Sequence, residues 1–461
     1  MRIQPLLLSA LVALAWWPDA ARAQNTDALR ETVQRTLQGN PEVSARWNAY
    51  RAASEGLEAA RGARGPRLDL SADAGRDEGR FDGSVRTHVN RAGMGLELRQ
   101  VLWDGRGAEY EVTRSGHERQ GRWFELLDIV EQSSLEAVRA VLDVQRFRRL
   151  VALAEENLAQ HRSALARIES RVRAGVARGV DQEQAQARLA LAESNLASEK
   201  ANLHDVTARH LRIVGQAPAR SGWVPVVLQA GLPDSPAAAL QASLAQHPQI
   251  TAAIESLRAA RAAVRTREAV TQPRLEVLAR AGGGHNLNGV VGQRADASVG
   301  LAMNWNLWDN GVAGARVREQ QALLAQATDL RDKACRDVRQ TLAIAYNDWA
   351  RLSEQRRLLK LNTEAIDRAR LAYRQQFEIG QRSVLDMLNA ENEAYTASRA
   401  LANAEYDQAL AAARTHAAMG RLTEALGIRR EHVPADTRGW QPPPDEAERC
   451  PASVLSAGLQ P

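Results

Sequence analysis

The chain is one unit written twice, and no other feature constrains its fold as much. Asn40-Pro41-Glu42 returns as His247-Pro248-Gln249, and Pro66-Arg67-Leu68 as Pro273-Arg274-Leu275, both 207 residues on. Leu102-Trp103-Asp104-Gly105 returns as Leu307-Trp308-Asp309-Asn310 after 205 residues. Gly175 and Gly380, Asp181 and Asp386, and Gly215 and Gly420 keep that second spacing. The two-residue change falls between 273 and 308, where a loop absorbs it cheaply. Each copy must therefore build the same substructure. Proline marks the joints: none occurs from 67 to 217 or from 274 to 433, while Pro218, Pro225, Pro233, Pro236 and Pro248 crowd the stretch between. The expected divisions are repeat one at 24–217, a Pro-rich linker at 218–246, repeat two at 247–426 and a Pro-rich tail at 427–461.

Within each copy the apolar period changes. Leu68, Leu70, Ala72 and Ala74 alternate with polar residues, as do Met94, Leu96 and Leu98. In the second copy Leu275, Val277 and Ala279 alternate, then Val299, Leu301, Met303, Trp305 and Leu307. Period two predicts a strand hairpin at about 67–102 and another at about 274–308. The polar, Gly-rich stretch 75–92 reads as the connection in the first, and Gly282-Gly283-Gly284 as a flexible loop in the second. Strands of about ten residues suit a tilted membrane crossing, and Trp103, Trp305 and Trp308 lie where an aromatic belt would sit. A soluble hairpin with one buried face has the same period. From about 107 to 173 and 311 to 378 the pattern is helical, roughly 100 Å at 1.5 Å per residue. Val151, Leu158, Leu165 and Val172 recur every seven residues, with Ala154, His161 and Ile168 between them. Leu352, Leu359, Ile366 and Tyr373, and Leu189, Leu196 and Leu203, do the same, the spacing of a coiled-coil seam. Gly175 before Asp181 and Gly380 before Asp386 are helix stop and start signals, so helical hairpins should turn at 173–181 and 377–386.

The amino terminus reads as an export signal. Arg2 precedes an apolar run from Leu6 to Trp17, and Ala21-Arg22-Ala23 is a small-residue cleavage site, so 1–23 should be removed. The remaining chain has no apolar stretch near 18 residues, the length of a membrane helix. Lys plus Arg number 60 against 55 Asp plus Glu, mixed along the chain, so no nucleic-acid partner is expected. One chain offers four strands, whereas single-chain outer-membrane barrels begin at about eight. An open sheet in lipid leaves unpaired edge groups. Membrane strands would therefore require an oligomer.

The export signal, the two repeats, the Leu-Trp-Asp strand ends and the tip pattern F-x-x-G-x-x-x-x-x-D resemble the TolC family of outer-membrane channel proteins over nearly all of 24–426. The resemblance implies a mainly α fold with a small β part. In that family, homotrimers form a 12-stranded outer-membrane β-barrel continuous with a long periplasmic α-helical coiled-coil barrel. Residues 373–395 and the phrase Arg212-Ile213-Val214-Gly215-Gln216-Ala217-Pro218 are most similar to members serving type I secretion, including exporters of large adhesins. The resemblance implies that the tips meet a periplasmic adaptor, with Gly175, Val176, Gly380 and Gln381 as contact positions. It places Arg382 where a tip Arg restrains the closed state, with Asp181 as carboxylate partner and Phe377 as aromatic support. An exposed ion pair contributes only about 0–1 kcal/mol, which suits a latch that opens. Asp386 matches the first of two carboxylate-ring positions; the second is Asn389 here. Helix capping is the other reading of Asp181 and Asp386.

No catalytic or metal-binding constellation occurs and no cofactor is expected. None of the nine His falls in H-E-x-x-H; His204 and His210 read as flanking a solvated helix. Cys335 falls in a helix and Cys450 in the tail, and an export compartment permits but does not require their pairing. Three functions fit. One is the outer-membrane duct of a type I secretion system with an adaptor and an inner-membrane ABC transporter. The second is the duct of a drug or metal efflux pump, which is proton-driven. The third is a periplasmic coiled-coil scaffold.

Overall fold

The computed structural model describes residues 17–79, 87–219, 228–287, 291–428 and 450. Residues 1–16, most of the export signal, and nearly all of the tail lie outside the described residues. The helices and strands follow the repeat. After α1 (Trp17–Gly39), the first copy runs α2 (Pro41–Gly62), β1 (Arg67–Gly79), β2 (Thr87–Trp103), α3 (Gly107–Arg173) and α4 (Gly179–Val214). The linker contains α5 (Pro236–Gln246), started by Ser235, whose side chain accepts from Ala238 N–H. The second copy runs α6 (Pro248–Ala269), β3 (Arg274–His285), β4 (Gln293–Asn304), α7 (Val312–Glu378) and α8 (Val384–Ala418), with a short α9 (Leu422–Ala425) after it. The chain divides into two compact units that cut across the repeats: 1–45, 127–248 and 336–441 form one, and 46–126, 249–335 and 442–461 the other.

The second unit holds the sheet. It is antiparallel in the order β1-β2-β3-β4, so β1 and β4 are its edges. Register fixes what each face carries, because partners across a ladder share a face. Leu70 pairs with Leu96, Leu96 with Ala281, and Ala281 with Ala297, one row of an apolar face. Leu70 is 71% exposed and Val299 80% exposed in the protomer. The opposite face carries the row Asp69, Glu97, Arg280 and Ser298, with Arg280 bonded to Glu97 at 2.9 Å. A bulge at Leu102 sets Trp103, not Leu102, opposite Leu275 and so onto the apolar face.

Three sequence expectations about this sheet need correction. The stretch 75–92 is mostly strand: β1 reaches Gly79 and β2 starts at Thr87. Its polar residues pair across the ladder, Arg91 with Asp73 at 3.1 Å and with Asp77 at 3.4 Å. Gly282-Gly283-Gly284 is not a loop but part of β3, where Gly282 pairs with Gly95 and Gly284 with Gly93. In the other direction, β4 ends at Asn304, so Trp305 and Trp308 lie beyond it.

Asp104 and Asp309 start the two long helices alike. Asp104 Oδ2 accepts from Ala108 N–H at 2.9 Å, and Asp309 Oδ2 from Ala313 N–H at 2.7 Å. Cys335 of α7 is joined to Cys450 in a disulfide, which ties the tail to this unit.

The first unit is built from the α3–α4 and α7–α8 hairpins. Its core gathers Leu29, Val33, Val138, Leu142, Leu410 and Leu422. Glu131 of α3 caps α9 there, its Oε2 accepting from Leu422 N–H at 2.7 Å. The heptad seam is present but rotated on α4: Ala185, Ala192, Glu199 and Val206 are buried, and Leu189, Leu196 and Leu203 flank them half-buried. Glu199 is tolerated in that row because Arg399 pairs with it at 2.6 Å. His204 is exposed as expected; His210 is not solvated but buried, with Nδ1 3.2 Å from Gln216 O.

Candidate functional site

The first unit presents the helical tips. Both close by one local rule. Gly175 takes φ +71° and Gly380 φ +77°. Val176 N–H donates to Arg171 O at 2.9 Å, and Gln381 N–H to Gln376 O at 2.8 Å. This closure satisfies terminal carbonyls and needs a left-handed residue, which glycine supplies without a Cβ clash. Val176 is 73% exposed, and Gly380 and Gln381 are exposed beside it in the other turn.

The returning helices start on carboxylates. Asp181 Oδ2 accepts from Arg178 N–H at 3.3 Å. Asp386 Oδ2 accepts from Ser383 N–H at 3.3 Å, and Ser383 Oγ from Asp386 N–H at 3.1 Å. Both acids therefore cap helices, in the first turn where the helix dipole favours negative charge. Arg382 stacks over the Tyr373 ring at 4.7 Å, donates to Gln376 Oε1 at 3.0 Å and stands 4.0 Å from Asp386. Its partners among the described residues of one protomer lie on its own hairpin. Phe377 is 5% exposed and packs with Ile168, Val384, Met387 and Leu388. Asn389 Oδ1 accepts from Arg188 of α4 at 2.9 Å.

Sequence reasoning missed what holds the tips together. Arg171 of α3 lies over the Phe377 ring at 4.7 Å and donates to Phe377 O at 3.4 Å and Glu378 O at 3.3 Å. A cation thus sits on the last carbonyls of α7, where the helix dipole favours it. Arg167 adds an ion pair to Glu378 at 3.4 Å. One to two turns above, buried Glu391 accepts from Arg374 at 2.5 Å and from Arg370 at 3.4 Å. Burial pushes the nearby His161 imidazole below its ordinary value, with Arg188 adding to that and Glu391 opposing it. These partners lie about 200 residues apart or within unpatterned polar positions, so no local signal marks them.

In the second unit Trp103, Trp305 and Trp308 are exposed in the protomer near the strand ends. Trp305 Nε1 donates to Thr271 O at 3.1 Å, which fixes one ring just outside the sheet. No described helix is long and apolar enough to cross a membrane.

Residues 32–215, in repeat one, and 239–421, from the end of the linker through most of repeat two, match the sequence profile of the outer membrane efflux proteins. The chain belongs to the outer membrane efflux protein family. The outer membrane efflux protein BepC of Brucella suis is 26% identical over 446 residues, covering 94% of this chain and 96% of that one. The alkaline protease secretion protein AprF of Pseudomonas aeruginosa is 30% identical over 192 residues, 40% of this chain and 38% of that one. The solved CmeC outer membrane channel of Campylobacter jejuni has the same fold, with a TM-score of 0.75 at 15% identity over 94% of this chain and 95% of that one. As an outer membrane efflux protein the chain is a TolC-type channel subunit, placed in the outer membrane and reaching into the periplasm. Channels of the outer membrane efflux protein family are homotrimers that work with adaptor proteins and inner-membrane pumps; they are not enzymes.

Proposed function

We propose that the chain forms the outer-membrane duct of a type I secretion system, passing a protein cargo handed on by an adaptor and an inner-membrane ABC transporter. The observation that carries this reading is the 30% identity with a protein named for alkaline protease secretion. The tip segment 373–395 supports it through its likeness to secretion members. Three copies would pair the free edges of β1 and β4 and close twelve strands, with the apolar face and Trp103, Trp305 and Trp308 against outer-membrane lipid. The exposed turns with Gly175, Val176, Gly380 and Gln381 would receive the adaptor. Arg382 would restrain the closed tips against Asp181 of a neighbouring protomer, with Asp386 forming one carboxylate ring above and Phe377 holding the hairpin. Asn389 is neutral and tied to Arg188, so a second acidic ring is not part of this proposal. Opening is a population shift set by partner contacts, since the chain carries no nucleotide motif.

A second reading, small-molecule efflux, is favoured by BepC, which is named an efflux protein and is matched over almost its whole length. Quantitative mass spectrometry of secreted and surface proteins in a deletion strain separates the two. Loss of one or a few large proteins at unchanged drug susceptibility supports secretion. An unchanged secretome with raised drug or metal susceptibility moves the assignment to efflux.

A further inference from the structure

The glycines of β2 and β3 make a bare patch on the polar sheet face: Gly93 pairs with Gly284 and Gly95 with Gly282. Glycine inside a strand weakens it and marks a place where something approaches the backbone closely. Here the approaching group is Leu287, from the turn after β3. A Cβ on Gly93 would meet Leu287 Cδ2 at 2.7 Å; one on Gly284 would first meet Ala92 O and Gly93 Cα of the adjoining strand, and then Leu287 Cδ1 at 3.0 Å. The same Cβ on Gly93 would lie 3.4 Å from Asp73 Oδ1, so Leu287 rests on the charged face, not the apolar one. Asn286, the residue before Leu287, is held in place. Asn286 takes φ +55°, is buried, and donates from Nδ2 to Asn90 O at 2.8 Å. Gly292 N–H donates to Asn286 Oδ1 at 2.9 Å, and Asn286 N–H to Gly292 O at 2.8 Å.

Around Gly93 and Gly284 the neighbouring positions of this face carry Asp73, Arg91 and Arg294, so an apolar side chain folded back there is out of pattern. We propose that Leu287, seated on Gly93 and Gly284, is a constriction residue of the outer mouth, limiting the size and polarity of what passes the barrel. The proposal rests on the reading that the charged face lines the pore of a trimer. Three copies of Leu287 then project from the wall at the level of Asp73. A ring of apolar side chains in an aqueous pore acts both as a steric limit and by disfavouring water and ions between them. The glycine floor sets how far each Leu reaches inward.

The test is thiol labelling of intact cells from outside with membrane-impermeant maleimides, one small and one carrying a large polymer. Ser71→Cys places a thiol on the charged face on the far side of Leu287 from the outer loops, and Asp77→Cys places one on the near side. The native cysteines are paired and silent. With Leu287 present, the Ser71→Cys thiol should take the small reagent and resist the large one. Leu287→Ala should raise its labelling by the large reagent on the order of tenfold, and leave Asp77→Cys unchanged. Equal labelling by the large reagent with Leu or Ala at 287, in trimers of normal yield, overturns the constriction. Failure of the small reagent to reach the Ser71→Cys thiol in either background overturns it differently, by showing that the charged face does not line the pore.

Discussion

Arg171 and Arg382 do different work although both are tip cations. Arg171 is bonded to the end of α7 and stacked on a buried ring. Arg171→Ala removes a cation–π contact and the capping of two carbonyls, together about 1–2 kcal/mol of local stability. Hydrogen exchange at residues 377–382 should accelerate accordingly, with Arg171→Lys intermediate because an ammonium keeps the charge but not the planar fork. Arg382 is exposed, and among the described residues its partners lie on its own hairpin, which leaves it able to serve a neighbour. Arg382→Ala should raise single-channel conductance in planar bilayers; unchanged conductance removes the latch role. His247 illustrates a residue whose protonation is governed by burial. Its folded value is pushed down to about 4, from an ordinary 6.5. The unfolded chain therefore binds the proton more readily. The stability that neutral His247 contributes is present above pH 6.5 and lost as pH falls towards 4, up to about 3 kcal/mol. Denaturation of the detergent-solubilised protein should show that loss, and His247→Gln should flatten the profile between those limits.

At the scale of elements, the tips and the sheet follow rules that act over a few residues. Gly380 has φ +77° and open space around its missing Cβ, so Gly380→Ala should cost about 1 kcal/mol by backbone strain alone. Gly380→Asn should cost less, because Asn tolerates the left-handed region. Local exchange at the 377–383 turn measures both. The sheet's two faces make a sharper comparison. Val299 is on the apolar face and Ser298 on the charged one. An Arg facing lipid at mid-membrane costs about 2–4 kcal/mol, whereas lumen positions accept charge. Val299→Arg should therefore depress the yield of assembled protein in the outer membrane, and Ser298→Arg should not. Both faces were legible from period two. The true ends of the strands were not, because cross-strand ion pairs such as Arg91 with Asp73 extend pairing through residues that look like a loop.

At the scale of the whole molecule, the repeats and the compact units divide the chain differently. Each unit takes pieces from both copies, since α3 and α7 each contribute to both units. The disulfide adds a covalent closure across 115 residues that the repeat does not contain. The denatured, unreduced chain should titrate no free thiol, and reduction should release both cysteines; thiol counting by mass spectrometry checks this. In detergent, native mass spectrometry should find three copies, as the family's homotrimers require, which brings the four strands of each chain to twelve.

The duplication, the strand and helix periods, the Asp and Gly that start and stop the long helices, and the family resemblance are all legible in the order of residues along the chain. All of these rest on chemistry that acts within about four residues, or on comparing the chain with itself. Only the tertiary structure decided which side chains meet. It set Arg171 on the end of α7, turned the buried row of α4 towards Ala185 and Ala192, and joined Cys335 to Cys450. It also placed the glycines of β3 inside a strand, with Gly284 under Leu287. These partners are far apart in the chain, and burial and register, which do not exist until the helices and strands pack, choose among many equivalent candidates.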